Sequence, residues 1–158
     1  MSCTDKIFVD VFIQKERYKM SYDYIRRVTY YETDMMGVVH HSNYIRWFEE
    51  ARVEFMRDNN LSYRKMEDED IQIPVVTVGC KYKNPAVFDD EIIIRITVKK
   101  YNGIVVEMQY DVIRKSDGLL LSVGESSHCF VDKATFKPVN LKRVRPDMHE
   151  NFIKSMEN

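Results

Sequence analysis

The chain has 158 residues, of which 44% are hydrophobic and 31% charged, and its 24 Lys and Arg against 25 Asp and Glu give a formal charge of −1. That balance supplies the core of one domain, excludes a disordered chain, and argues against a dedicated nucleic-acid surface. Cys3, Cys80 and Cys129 are too scattered for a disulfide framework or a metal-ligand pair. With neither a membrane span of about 20 apolar residues nor a secretion signal legible, a reducing cytoplasm is the expected location.

In chain order, residues 1–19 precede a second methionine, Met20, and read as an N-terminal extension or an added strand formed by IFVDVFI. The aromatic and β-branched run at 22–31 predicts a strand, with Tyr24, Val28 and Tyr30 on one face by its two-residue period. Tyr44, Trp47, Phe48, Ala51 and Phe55 then recur at helical offsets and predict a long helix over 44–59. Arg46, Glu49, Glu50, Arg52 and Arg57 fall largely on its other surface, and DNNLS ends it.

After the acidic EDED come four strand-like segments, IPVVTVGCKYK, DEIIIRITVKKY, GIVVEMQYDVIRK and LLLSVGESSHCFVD. Asn102-Gly103 and Asp117-Gly118 separate the last three, which predicts tight hairpins and an antiparallel meander. Residues 146–158 form a terminal helix or tail, with Met148, Phe152 and Ile153 as weak apolar contacts. One long apolar helix beside at least five strands buries its face only by lying across the sheet, so the expectation is an α+β domain over 20–145.

The chemistry concentrates at 31–44, YETDMMGVVHHSNY. Taken alone, Asp34 is an ordinary turn residue, and the adjacent His40 and His41 diverge too much to chelate one ion. With no HExxH and only His128 and His149 besides, no metal site is expected. GESSH lacks the second glycine of a nucleophile elbow and sits in a strand-like stretch, so it reads as sheet. Together, however, Gly37 can bend the backbone and Ser42 or Asn43 can cap the helix. The first helical N–H groups are then free to polarise a carbonyl beside the Asp34 carboxylate, which can act as nucleophile or general base. These are the ingredients of acyl transfer.

The run Y-E-T-D-x-x-G-V-V-H-H-x-x-Y, followed by IRWFEEAR and later by VDKATFKPV, resembles the 4-hydroxybenzoyl-CoA thioesterase and YbgC-like family of acyl-CoA thioesterases. The resemblance implies a hotdog fold, an antiparallel sheet of five or six strands wrapped around one long helix. It also implies hydrolysis of an acyl-CoA thioester, with coenzyme A entering as part of the substrate and no other cofactor.

Carried over by residue, Asp34 matches the catalytic carboxylate, His41 a position facing the thioester, and Tyr30 a tyrosine near the site. Gly37 matches the turn glycine, and Val38 and Val39 accompany it at the substrate. Outside the motif, Lys81, Lys83, Lys99 and Lys100 are candidates by charge for the coenzyme A phosphates, with Lys99 and Lys100 the preferred pair. Met35-Met36 replace smaller residues common before the glycine and reshape the acyl pocket. A homodimer or homotetramer is the implied assembly, and acyl carrier protein is an alternative carrier of the acyl group. The rival expectation is a noncatalytic acyl-CoA or acyl-carrier-protein binding module on the same fold.

Overall fold

The computed structural model describes residues 21–157, so the expected extension at 1–19 lies outside the described residues. Strand β1 (Ser21–Arg27) leads through a single 3₁₀ turn (Tyr30–Glu32) and a short loop into the long helix α1 (Ser42–Asp58). Helix α2 (Tyr63–Asp68) and strands β2 (Ile71–Gln72), β3 (Val75–Tyr82), β4 (Glu91–Tyr101), β5 (Val105–Arg114), β6 (Leu120–Cys129) and β7 (Val131–Asp132) follow. Two C-terminal helices, α3 (Leu141–Val144) and α4 (Pro146–Glu157), complete the chain.

Five strands pair antiparallel in the order β1-β4-β5-β6-β3, and β2 with β7 forms a separate two-stranded ribbon. The expected meander of β4, β5 and β6 is present, and Gly103 and Gly118 carry positive φ at its two turns. Strict alternation buries Ile92, Ile94, Ile96 and Val98 of β4 and Val106, Met108, Tyr110 and Val112 of β5 on one sheet face. The helix stripe Tyr44, Trp47, Phe48, Ala51 and Phe55 is buried in the same core. Phe48 stacks on Tyr110 with ring centroids 4.6 Å apart. The same ring lies 2.3 Å from where a Cβ on Gly124 would stand, so the glycine of GESSH makes room for the helix.

Several elements differ from the sequence expectation. Strand β1 stops at Arg27; Val28 is buried just beyond it, and Tyr30 sits in the 3₁₀ turn rather than on a strand face. Arg52 is buried, not on the solvent side of α1, because the hydroxyls of Tyr63 and Tyr110 accept hydrogen bonds from its guanidinium at 2.8 and 3.3 Å. The last strand-like segment breaks at Phe130 into β6 and β7. Met148 and Phe152 of α4 are fully buried, while Ile153 is not. Tyr101 stacks on Phe152 at 4.7 Å and its hydroxyl meets His149 Nδ1 at 2.9 Å, which docks α4 on the end of β4. Among the described residues no helix is long and apolar enough to cross a membrane.

Candidate active site

The loop between the 3₁₀ turn and α1 is a miniature hairpin. The Gly37 N–H donates to the Asp34 carbonyl and the Asp34 N–H to the Val38 carbonyl, both at 2.9 Å, while Thr33 bridges Val39. Gly37 adopts φ +74°, a conformation open to glycine and costly for a β-branched residue. The Asp34 side chain participates as well, since its Oδ1 accepts the Met36 N–H at 2.8 Å. Asp34 is half-buried, and among the described residues its Oδ2 receives no hydrogen bond.

The second leg of the hairpin enters the mouth of α1. Neither Ser42 nor Asn43 caps the helix as expected: His41 is the capping residue, without a side-chain cap bond. His40 turns its Nδ1 to the Ser42 hydroxyl at 2.9 Å, and Asn43 is directed instead to the carbonyl of Glu32, donating from Nδ2 at 2.8 Å. Among the described residues no acceptor meets the His41 N–H, whereas the His41 carbonyl accepts the Tyr82 hydroxyl at 3.0 Å. The Tyr82 ring also stands edge-on to Tyr44 at 5.1 Å, so the end of β3 braces the helix mouth. Partial desolvation and the neighbouring Cys80 shift the half-exposed Tyr82 phenol up to about 12, well clear of neutral pH, where it donates.

Beneath the hairpin lies Glu32, which was not singled out in the sequence. It is only 4% exposed, yet its carboxylate is fully engaged. Oε1 accepts the Trp47 indole N–H and one Arg26 nitrogen, and Oε2 accepts the Thr29 N–H, all at 2.8 Å. Burial alone would raise its pKa; the hydrogen bonds from Trp47 and Thr29 and the Arg26 charge outweigh burial and hold it below the usual carboxylate range. The Glu32 carbonyl accepts two further donors, the His40 N–H at 2.9 Å and the Asn43 side chain.

The expected site residues do not all meet. Asp34, Gly37, Val38 and His41 share the hairpin and helix mouth. The Val39 side chain is buried in the core, and its N–H ties the hairpin to the Ala86 carbonyl at 2.9 Å. Tyr30 is exposed and packs edge-on against Phe88 at 5.6 Å. With Tyr31, Met35 and Met36 it gives the rim of the hairpin a large apolar exposure. Lys99 and Lys100 stand at the other end of β4 from Glu91, a strand path of roughly 26 Å at the usual rise. There Lys100 pairs with Glu107 at 3.3 Å. The Asp34 hairpin is tied to the Ala86 carbonyl, ahead of the start of β4, so within one chain Lys99 and Lys100 lie at the far end of that strand from it.

The sheet wrapped on one long helix defines a hotdog fold, and comparison with known proteins agrees on that fold. Residues 28–152 match the thioesterase-like superfamily, and the chain belongs to that family. It is 33% identical over 128 residues to the putative acyl-CoA thioesterase YneP of Bacillus subtilis, covering 81% of this chain and 92% of the relative. It is 30% identical to the acyl-CoA thioesterase YbgC of Haemophilus influenzae, covering 78% and 90% of the two chains. Among solved structures, the DHNA-CoA thioesterase of Staphylococcus aureus superposes with a TM-score of 0.80 at 31% identity, covering 85% of this chain and 89% of that one.

Proposed function

We propose that the protein hydrolyses an acyl-CoA thioester to the free acid and coenzyme A. Asp34 supplies the carboxylate, which attacks the thioester carbonyl or removes a proton from the attacking water. The observation that carries this reading is the pairing, on one short hairpin, of a half-exposed carboxylate with one oxygen free and a helix mouth whose His41 N–H has no acceptor among the described residues. The dipole of α1 adds positive potential where the carbonyl oxygen gains negative charge. Water supplies the oxygen of the new acid, and the coenzyme A sulfur leaves as the thiol. The acyl-CoA part of the reading is supported by the names of YneP and YbgC. In it, Tyr30, Gly37 and Val38 border the acyl group.

Thiol release measured over a panel of acyl-CoA chain lengths, with acyl carrier protein thioesters alongside, tests the reading. Asp34→Asn keeps the shape of the turn but removes the base or nucleophile, and its turnover should fall about a hundredfold or more. Near-normal turnover in that variant would overturn the role of Asp34. Binding of acyl-CoA by the wild-type protein without any thiol release would make it a noncatalytic binding module.

The reading includes a second copy of the chain. Edge strand β3 pairs only with β6 within the described residues and exposes Val75, Val76, Val78 and Tyr82 at 45–60%. A long apolar edge of this kind is a template for another strand. Lys99 and Lys100 are assigned to coenzyme A phosphates only as residues of that second copy. Light scattering at micromolar concentration should give a dimer or tetramer, and a fully active monomer would remove the shared-site arrangement.

A further inference from the structure

We infer that Glu32 is a positioning residue, which locks the base of the Asp34 hairpin to the first two turns of α1 and so sets the carboxylate against the helix mouth. The inference rests on the catalytic assignment of Asp34 above. The internal shape of the hairpin is held by its own bonds, from Gly37, Met36 and Asp34 itself. Those bonds do not fix where the hairpin points. The Val39 N–H ties the far leg to Ala86, and Glu32, two residues before Asp34, ties the hairpin to α1 from both of its ends.

Its carbonyl gathers the His40 N–H from the far leg of the hairpin and the Asn43 amide from α1. Its carboxylate takes the Trp47 indole from α1, Arg26 from β1 and the Thr29 N–H from the start of the 3₁₀ turn. Asn43 and Trp47 are four residues apart, hence on one face of the helix, and both aim at the same glutamate. Arg26 is itself held from the other side by Glu50 at 2.9 Å and lies over the Trp47 ring at 5.2 Å. Strand, turn and helix therefore converge on a single buried anion. Removing a carboxylate from water is unfavourable, and an apolar side chain would fill the same space without that penalty. What the apolar side chain lacks is directionality: three donors at 2.8 Å fix the carboxylate in place, and the backbone two residues from Asp34 with it.

The test is a double-mutant cycle on thioester hydrolysis, with kcat and KM measured separately. Glu32→Gln keeps size but turns an NH₂ toward donors, and it should lower kcat about ten- to hundredfold while KM stays within about twofold, the pattern of a displaced reacting group. In the Asp34→Asn background the same change should cost less than about twofold, because the group it positions is already gone. Unchanged kcat, a loss carried by KM, or an equal loss in both backgrounds would overturn the proposal. Near-normal turnover of Asp34→Asn alone would instead defeat the assignment of Asp34. Trp47→Phe removes one donor to Glu32 and leaves its ion pair with Arg26; it carries the same cycle if Glu32→Gln does not fold, with a kcat loss of about tenfold expected.

Discussion

Two buried polar clusters meet α1 at different points along its length, and they handle charge in opposite ways. Near the helix start, Glu32 is an anion surrounded by donors, with the guanidinium of Arg26 at 2.8 Å. One turn past Trp47, Arg52 reaches the hydroxyls of Tyr63 and Tyr110; Tyr110 meets Ser126 at 2.8 Å, and Ser126 meets His128 Nε2 at 2.7 Å. No carboxylate pairs with Arg52 among the described residues, and His128 is completely buried with its Nδ1 unpartnered. Burial, reinforced by the charge of Arg52, lowers the His128 pKa to about 4. The Glu32 pKa is lowered too, but against burial rather than with it. The same direction of shift keeps one group charged and the other neutral. Burial decides the protonation state only where neighbours do not supply the opposite charge.

The sharpest way to break this contrast is to take the counter-charge from the first cluster. Arg26→Met retains the stem over Trp47 and leaves the Glu32 carboxylate buried without its cation. Side-chain exposures of 10% and 5% for Arg26 and Glu32 make this a buried pair, and its disruption should cost about 4 kcal/mol in urea unfolding at pH 7. Glu50, with 45% side-chain exposure, is the control partner of Arg26, and Glu50→Gln should change stability by less than about 1 kcal/mol. Because the folded pKa of Glu32 is depressed, its contribution is present above the ordinary value of 4.5 and is lost as pH falls through the folded value. Without Arg26 the buried carboxylate protonates more readily, so the gap between Arg26→Met and wild type should narrow on acidification, from the raised Glu32 value of the variant down to the depressed value of the wild type. Equal stability at pH 7 would mean that the Trp47 and Thr29 donors hold the carboxylate without help.

Much of this architecture is legible from local pattern. The helical recurrence of Trp47, Phe48, Ala51 and Phe55 and the hairpin dipeptides at 102–103 and 117–118 each report a preference of a few adjacent residues, and the structure keeps both. The Asp34 turn was legible for the same reason, since Gly37 does take the positive φ that its place in the loop implies. The strand expected over 22–31 takes in Thr29 and stops just short of Glu32, which conceals the Thr29-x-x-Glu32 spacing of a capping box. Arg52 was assigned to the polar flank because periodicity assigns charged residues outward. Its burial depends on hydroxyls 11 and 58 residues away, which no local window contains. Lys99 and Lys100, like Lys81 and Lys83, qualify for the coenzyme A phosphates by charge alone, and which end of a strand lies near the Asp34 loop is a product of long-range pairing.

The second cluster is separated from the first by pH. His128 has an ordinary value of 6.5 and a folded value of about 4, so the unfolded chain binds a proton between these limits that the native state refuses. The stability it contributes as a neutral ring is fully present above pH 6.5 and disappears as pH falls through about 4. Each unit inside that window is worth about 1.4 kcal/mol, for a total of about 3 kcal/mol. His128→Gln fills the site with a side chain that does not titrate and should remove this component, whatever its own effect at pH 7. Urea midpoints of both proteins between pH 7.5 and 5, where Glu32 still contributes in full, isolate the histidine from the carboxylate. The wild-type curve should descend toward that of the variant as the solution is acidified. Parallel curves would mean that His128 accepts a proton in the native state, with Ser126 and the hydroxyl chain absorbing the charge beside Arg52, and the contrast between the two clusters would collapse.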